Sequence, residues 1–158
     1  MFRHPLMALL LAASVVPSAA AGGLAASQTV ERQVRISQPD GEVLIRWEPA
    51  GRASPGDQLR YSMTWRNESS QPAGNVVLSV PVPAEMKYLE NSASADGAVV
   101  TYSADGGASF APRGSLTITA DGTTRAALSE EITHVRWSFT SDIPPDAEGV
   151  LRFSVVLR

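Results

Sequence analysis

The chain has 158 residues, a formal net charge of −3 and no cysteine. The lack of cysteine excludes disulfides, thiol catalysis and thiolate metal sites, so the fold must be stabilised by its own apolar core. The basic side chains are few and scattered. This argues against nucleic acid or an anionic membrane as the main partner, because both require clustered positive charge.

The first 21 residues have the pattern of a secretory leader. Arg3 precedes an apolar block at 8–16, and three alanines at 19–21 supply the small residues that a signal peptidase needs. The block is shorter than the roughly 20 apolar residues of a membrane-spanning helix, so an uncleaved anchor is the less favoured alternative. We predict a signal peptide over 1–21 and export to the periplasm, the cell surface or the medium. No transmembrane segment is expected after cleavage.

The mature chain is predicted to begin with a flexible lead-in over 22–28, because these residues are small and polar. A single domain is predicted over 29–158, a usual size for one domain. Its first two strands are expected around 30–36 and 43–47, on either side of a Pro-Asp-Gly turn.

The clearest strand signal follows a Pro-Gly-Asp turn. Apolar and polar residues alternate there with period two, which predicts a strand with one buried face, and the buried positions are Leu59, Tyr61, Met63 and Trp65. A nearly continuous apolar run at 76–82 predicts a central strand covered on both faces.

The remaining chain predicts further short strands separated by turn signals. They are expected at 86–89, 98–102, 116–119, 126–128, 135–139 and 151–157, with a hairpin across Asp121-Gly122. Together the segments predict an all-β fold, an antiparallel β-sandwich of about seven to nine strands. A closed barrel is the alternative. The sandwich is preferred because proline-bounded strands suit open sheet edges.

Several of these segments resemble a bacterial conserved-repeat module, the domain of unknown function 11 family. The resemblance covers roughly 43–157 and consists of Pro55-Gly56-Asp57, the alternating 59–67 segment, Ala73 to Val77, Pro83 to Tyr88, and Val135-x-Trp137. It implies an immunoglobulin-like sandwich in bacterial surface, envelope or secreted proteins, without general enzymatic activity or catalytic residues to transfer. The family usually occurs in tandem arrays, whereas one copy is present in this sequence.

No constellation of residues predicts a catalytic, cofactor-binding or metal site. His134 is the only histidine after the leader, and a catalytic base would also need a positioned nucleophile. Glu130 and Glu131 are expected on opposite faces of a strand, and Lys87 is expected to face solvent. Calcium binding stays open for the aspartates predicted in turns, which are Asp96, Asp105, Asp121, Asp142 and Asp146.

Eight of the nine aromatic residues after the leader divide into two groups. Five at regular inward positions are predicted to form the core: Tyr61, Trp65, Trp137, Phe139 and Phe153. Core packing is also the favoured prediction for Trp47, Tyr102 and Phe110, but an exposed cluster of these three would indicate a ligand-binding face.

These patterns predict a non-catalytic exported module, not an enzyme. It would act through protein–protein contacts with an envelope or surface protein, by interface burial or by strand addition at an open edge. The segments 30–36 and 151–157 are the candidate edges. The alternative is a carbohydrate- or small-ligand-binding module.

Overall fold

The structure, a computed structural model, describes residues 23–158. The predicted signal peptide over 1–21 lies outside the described residues. Within them the chain forms ten strands: β1 (Leu24–Ser37), β2 (Val43–Pro49), β3 (Gln58–Asn67), β4 (Val77–Pro81), β5 (Met86–Tyr88), β6 (Ala98–Ser103), β7 (Thr117–Ala120), β8 (Thr123–Ala126), β9 (His134–Phe139) and β10 (Glu148–Leu157). Two short 3₁₀ turns lie at Arg113–Ser115 and Ser129–Glu131. None of the described residues forms a helix long and apolar enough to cross a membrane.

The strands form two facing antiparallel sheets and a hairpin. The larger sheet has the order β2-β1-β3-β10-β5, and the smaller sheet has the order β4-β9-β6. Their inner faces meet where the Trp137 ring of β9 lies 6.1 Å from the Phe153 ring of β10. The predicted all-β sandwich is therefore confirmed. Its two sheets contain eight strands, within the predicted range, and the β7–β8 hairpin adds two.

Strand β3 forms one wall of the core, with the alternation that the sequence predicts. Leu59 and Tyr61 are at most 4% exposed, and Met63 and Trp65 are almost as deeply buried. Gly149 of β10 lies opposite Trp65. A Cβ atom at that glycine would lie only 2.6 Å from the indole ring, so the large side chain on β3 requires glycine on its neighbour.

The predicted hairpin at Asp121-Gly122 is confirmed, although its second strand lies at Thr123–Ala126 and not at the predicted 126–128. It connects β7 to β8, and its two central residues have φ values of 51° and 75°. Aspartate and glycine tolerate this left-handed conformation better than most residues, which is why the pair is a strong turn signal.

The flexible lead-in predicted over 22–28 is wrong from Leu24 onward. β1 begins at Leu24, opposite Asn67 of β3, and the pairing continues without interruption. The Glu68 amide also donates to the Gly23 carbonyl at 2.8 Å. Small polar side chains can form a strand when a neighbouring strand pairs with their backbone, and side-chain composition does not reveal that partner.

The predicted edge strands lie inside the larger sheet over most of their length. The 151–157 segment belongs to β10, which lies between β3 and β5, and the 30–36 segment belongs to β1, which lies between β2 and β3 as far as Arg32 and pairs only with β2 beyond it. Conversely, the apolar run at 76–82 forms edge strand β4, with Val77 exposed. Apolar content reports how much of a strand's surface is covered, not its place in the strand order.

Candidate interaction surface

The outer edge of the larger sheet carries a row of exposed apolar side chains. Val43, Leu44 and Ile45 follow one another in β2 and are 56%, 44% and 52% exposed. Because successive side chains of a strand point to opposite faces, this row presents apolar surface on both faces of the edge.

Alternate backbone groups of β2 point away from the sheet. The Gln38 amide donates to the Glu42 carbonyl at 2.8 Å, and the Ala50 amide donates to a carbonyl of β1 at 2.9 Å. The register between these two bonds is continuous, so the even-numbered residues of β2 exchange hydrogen bonds with β1. The N–H and C=O groups of Val43 and Ile45 therefore point outward, where no strand of residues 23–158 pairs with them.

The tip of the β1–β2 hairpin extends beyond the core. Pairing between β1 and β3 ends at Arg32, whereas pairing between β1 and β2 continues to Ser37. Ile36 and Leu44 lie opposite each other in this two-stranded tip, and neither belongs to the core cluster. A two-stranded ribbon is only marginally stable by itself, so an added strand would bury its apolar surface and stabilise it.

The other edges of the two sheets are shorter or better covered. β5 has only three residues, and beyond it the β10 backbone amides donate at 2.9 Å to the hydroxyls of Ser92 and Ser94. β6 forms a bridge at Tyr102 with a later segment. β4 has five residues and ends at Pro81, which has no N–H to donate. Among the described edges, β2 is the most open to strand addition.

Trp47 connects the base of this edge to the sheet. The Arg60 guanidinium of β3 lies 4.3 Å from the centre of the indole ring. Arg60 also donates two hydrogen bonds to Glu31 of β1, at 2.7 and 2.9 Å. Cation–π attraction and the ion pair therefore link three neighbouring strands below the hairpin tip. These contacts fix the base of the open edge to the rest of the larger sheet.

A polar cluster lies at the loop 103–109. Asp105 accepts hydrogen bonds from the hydroxyls of Ser103 at 2.6 Å and Ser109 at 2.5 Å. These bonds hold the pKa of Asp105 well below its usual range. Because loop donors contact both carboxylate oxygens, the arrangement stabilises the loop itself. Nearby, burial and then the charge of Arg136 lower the pKa of His134, which favours its neutral form.

Three charged residues considered as possible sites lie on the surface in ion pairs. Glu130 and Glu131 belong to a 3₁₀ turn and not to the predicted strand. Lys87 is half-exposed, as predicted, and lies 3.7 Å from Glu130. Hydrogen bonding from Arg125 at 2.7 Å lowers the pKa of Glu131 to about 2. Exposed pairs of this kind contribute little to stability.

The turn aspartates do not gather into a site in the described part of the chain. Asp121 lies in the β7–β8 turn, and Asp146 pairs with Arg66 at 3.2 Å. Across residues 23–158, no three His, Cys, Asp or Glu side chains are grouped so that they could hold a metal ion.

The aromatic residues pack largely as the sequence predicts. Tyr61, Trp65, Trp137 and Phe153 are buried, and Phe139 packs against the core. Of the remaining three, Tyr102 is buried, and its hydroxyl lies 3.0 Å from that of Tyr88. Trp47 of β2 and Phe110, in the segment between β6 and β7, are half-buried, each beside an arginine, and Arg136 lies 3.3 Å from the Phe110 ring centre. They do not form a shared aromatic platform.

Asn67 has a structural role that the sequence did not reveal. It is fully buried, and its amide nitrogen donates to the carbonyls of Gln71 and Ile143 at 2.9 Å and of Pro144 at 3.2 Å. Its side-chain oxygen accepts hydrogen bonds from Ser69. Asn67 thus ties the end of β3 to the β9–β10 connection. An asparagine that ends an alternating strand was the available signal, and it also fits a glycosylation sequon that burial makes inaccessible.

Comparisons of the chain with protein-family models, with curated proteins and with solved structures each gave no match. The resemblance to the conserved-repeat module therefore stays a prediction based on the residues that carry it.

Proposed function

We propose that the chain is a non-catalytic exported module that acts through protein–protein contacts in the bacterial envelope or at the cell surface. The observation that carries this proposal is the β2 edge, where successive exposed apolar side chains accompany outward-pointing backbone groups. Strand addition at such an edge combines main-chain hydrogen bonds with side-chain burial. The leader pattern over 1–21 and the resemblance to the repeat module support the location.

Cross-linking from the edge in the native cell tests this function. A photoreactive residue at Ile45 should capture a protein, because its side chain would lie within the contact. Leu128 is the matched control, since it is 50% exposed against 52% for Ile45 and lies outside β2. Equal capture from both positions, or no capture from Ile45, would contradict the proposal.

A second candidate function is binding of a carbohydrate or another small ligand. It is favoured by an open depression of about 460 Å³ beside the hairpin, lined in part by Gln33, Arg35, Asp57 and Gln58. Its volume is in the range of small-ligand sites. Retention of the chain on a polysaccharide matrix, lost on Arg35→Ala substitution, would support it. Retention that is absent, or that the substitution leaves unchanged, would remove it.

A further inference from the structure

We propose that the partner of β2 is a second copy of this chain. In this dimer two β2 strands pair antiparallel about a twofold axis that passes at Leu44. The inference rests on the proposed function and deepens it, because it names the occupant of the open edge.

The charge pattern of residues 42–46 supports pairing with itself. The segment reads Glu-Val-Leu-Ile-Arg, and all five side chains are exposed. In the Leu44-centred register, Glu42 lies opposite Arg46 of the second copy, and the twofold axis repeats this ion pair. Neither residue forms an ion pair within residues 23–158. The edge therefore carries two opposite charges that have no ion-pair partner within the described residues, at the spacing that self-pairing requires.

The backbone of β2 fits the same register. Val43 and Ile45 point their N–H and C=O groups outward, and they lie opposite each other across the axis. They would form two hydrogen-bonded pairs with four main-chain hydrogen bonds. The even-numbered residues fall at the non-hydrogen-bonded positions, where side chains of paired strands lie closer together. Glu42 and Arg46 therefore meet at the closely spaced positions.

Neighbouring symmetric registers are less favourable. A register centred on Ile45 places Glu42 opposite Glu48, and one centred on Arg46 places that arginine opposite its own copy. Like charges directly opposite each other destabilise paired strands. A register centred on Trp47 pairs Ile45 with Pro49, which has no N–H to donate. Of the registers centred on residues 44 to 47, the Leu44-centred one alone combines opposite charges with complete hydrogen bonding.

The pairing would also bury the hairpin tips. Leu44 would lie against Leu44 of the second copy, and Val43 against Ile45. The larger sheet would continue through the axis from one copy into the other. The exposed apolar row of each edge would be covered by an identical row, which is the self-complementarity that a twofold interface requires.

Charge reversal at the edge tests the inference, with the dimer dissociation constant measured by sedimentation equilibrium. Glu42→Arg and Arg46→Glu each place like charges opposite each other, so each should weaken the dimer about tenfold. The double variant Glu42→Arg/Arg46→Glu should restore it. An equimolar mixture of the two single variants should form mixed dimers. Glu68→Arg, an exposed reversal far from β2, should have no effect.

The possible outcomes separate this inference from the proposed function. A wild-type chain that is monomeric at every concentration, or single reversals that leave the dimer unchanged, would overturn pairing with a second copy. If cross-links from Ile45 then identify a different protein, the proposed function stands and only the identity of the partner is wrong. If Ile45 captures nothing in the cell, both fail.

Discussion

At the scale of single residues, Asn67 shows how one buried polar side chain organises a loop. Its amide donates to the carbonyl of Gln71, in the loop after β3, and to the carbonyls of Ile143 and Pro144 in the β9–β10 connection. Removing a hydrogen-bond donor from beside buried carbonyls is costly. The side chain therefore matters through its two N–H donors, which distinguish asparagine from aspartate.

Asn67→Asp is expected to lower the free energy of unfolding by about 2–4 kcal/mol, because a carboxyl group would face carbonyl oxygens without donors for them. Urea denaturation measures the change. Asn91→Asp is the matched control, since Asn91 is exposed and its φ of 59° suits both residues. Equal stability of the two variants would show that the Asn67 network contributes nothing.

At the residue scale, the sequence predicted the buried face of β3 but not the role of Asn67. The inward face of β3 was predictable because burial on one side leaves a period-two pattern. The role of Asn67 was not, since its three acceptors lie in segments distant in the chain or in a loop. The environments of Trp47 and Phe110 could not be predicted either, because the arginine that lies over each ring comes from a different segment of the chain.

At the scale of elements, the strands themselves were predictable but their order was not. Turn residues marked most boundaries, and the hairpin at Asp121-Gly122 followed from local conformation alone. Strand neighbours depend on pairing across long stretches of chain, as between β3 and β10. The prediction therefore placed open edges on two interior strands and overlooked β2, whose apolar residues suggested burial.

Proline substitutions test which backbone groups of β2 are free. Val43→Pro removes an outward N–H, so at concentrations where the chain is monomeric it should change the free energy of unfolding by less than about 1 kcal/mol. Leu44→Pro removes an N–H that β1 uses and should cost about 3 kcal/mol. The two residues are adjacent and similarly exposed, so each controls for the other in thermal or urea unfolding. Equal losses would contradict the assigned direction of the β2 backbone.

At the scale of the whole molecule, the ionisable groups predict a stability plateau near neutral and moderately alkaline pH. Hydrogen bonds from Arg113 lower the pKa of Glu90, and Arg125 lowers that of Glu131 to about 2. A group whose pKa is lower in the folded state than in the unfolded state stabilises the fold at pH values above its unfolded-state pKa. This stabilisation is lost as the pH falls through the folded-state pKa. The depressed pKa of His134 acts in the same direction. Melting temperature should therefore fall progressively below about pH 6.

The alkaline limit should come from two buried tyrosines, Tyr61 and Tyr102, because burial raises the pKa of both hydroxyls. Burial raises the pKa of Tyr61 from 10.0 to about 12, so its stabilising effect is complete below pH 10 and is lost between 10 and 12. Its hydroxyl has no hydrogen-bond partner in the described structure. Tyr61→Phe should therefore fold and should reduce the alkaline decline in melting temperature, with the contribution of Tyr102 remaining. An unchanged alkaline decline would assign the effect to other groups.

The central claim is that β2 is the contact edge and that it pairs about Leu44. Because the chain has no cysteine, single cysteines at Val43, Leu44 and Ile45 report the register directly. Only position 44 meets its own copy, at the Cα separation of about 4.5 Å of a non-hydrogen-bonded pair, which a disulfide can span. The account predicts that Leu44→Cys forms covalent dimers on mild oxidation far faster than Val43→Cys or Ile45→Cys. Equal rates at the three positions, or no dimer from Leu44→Cys, would contradict it.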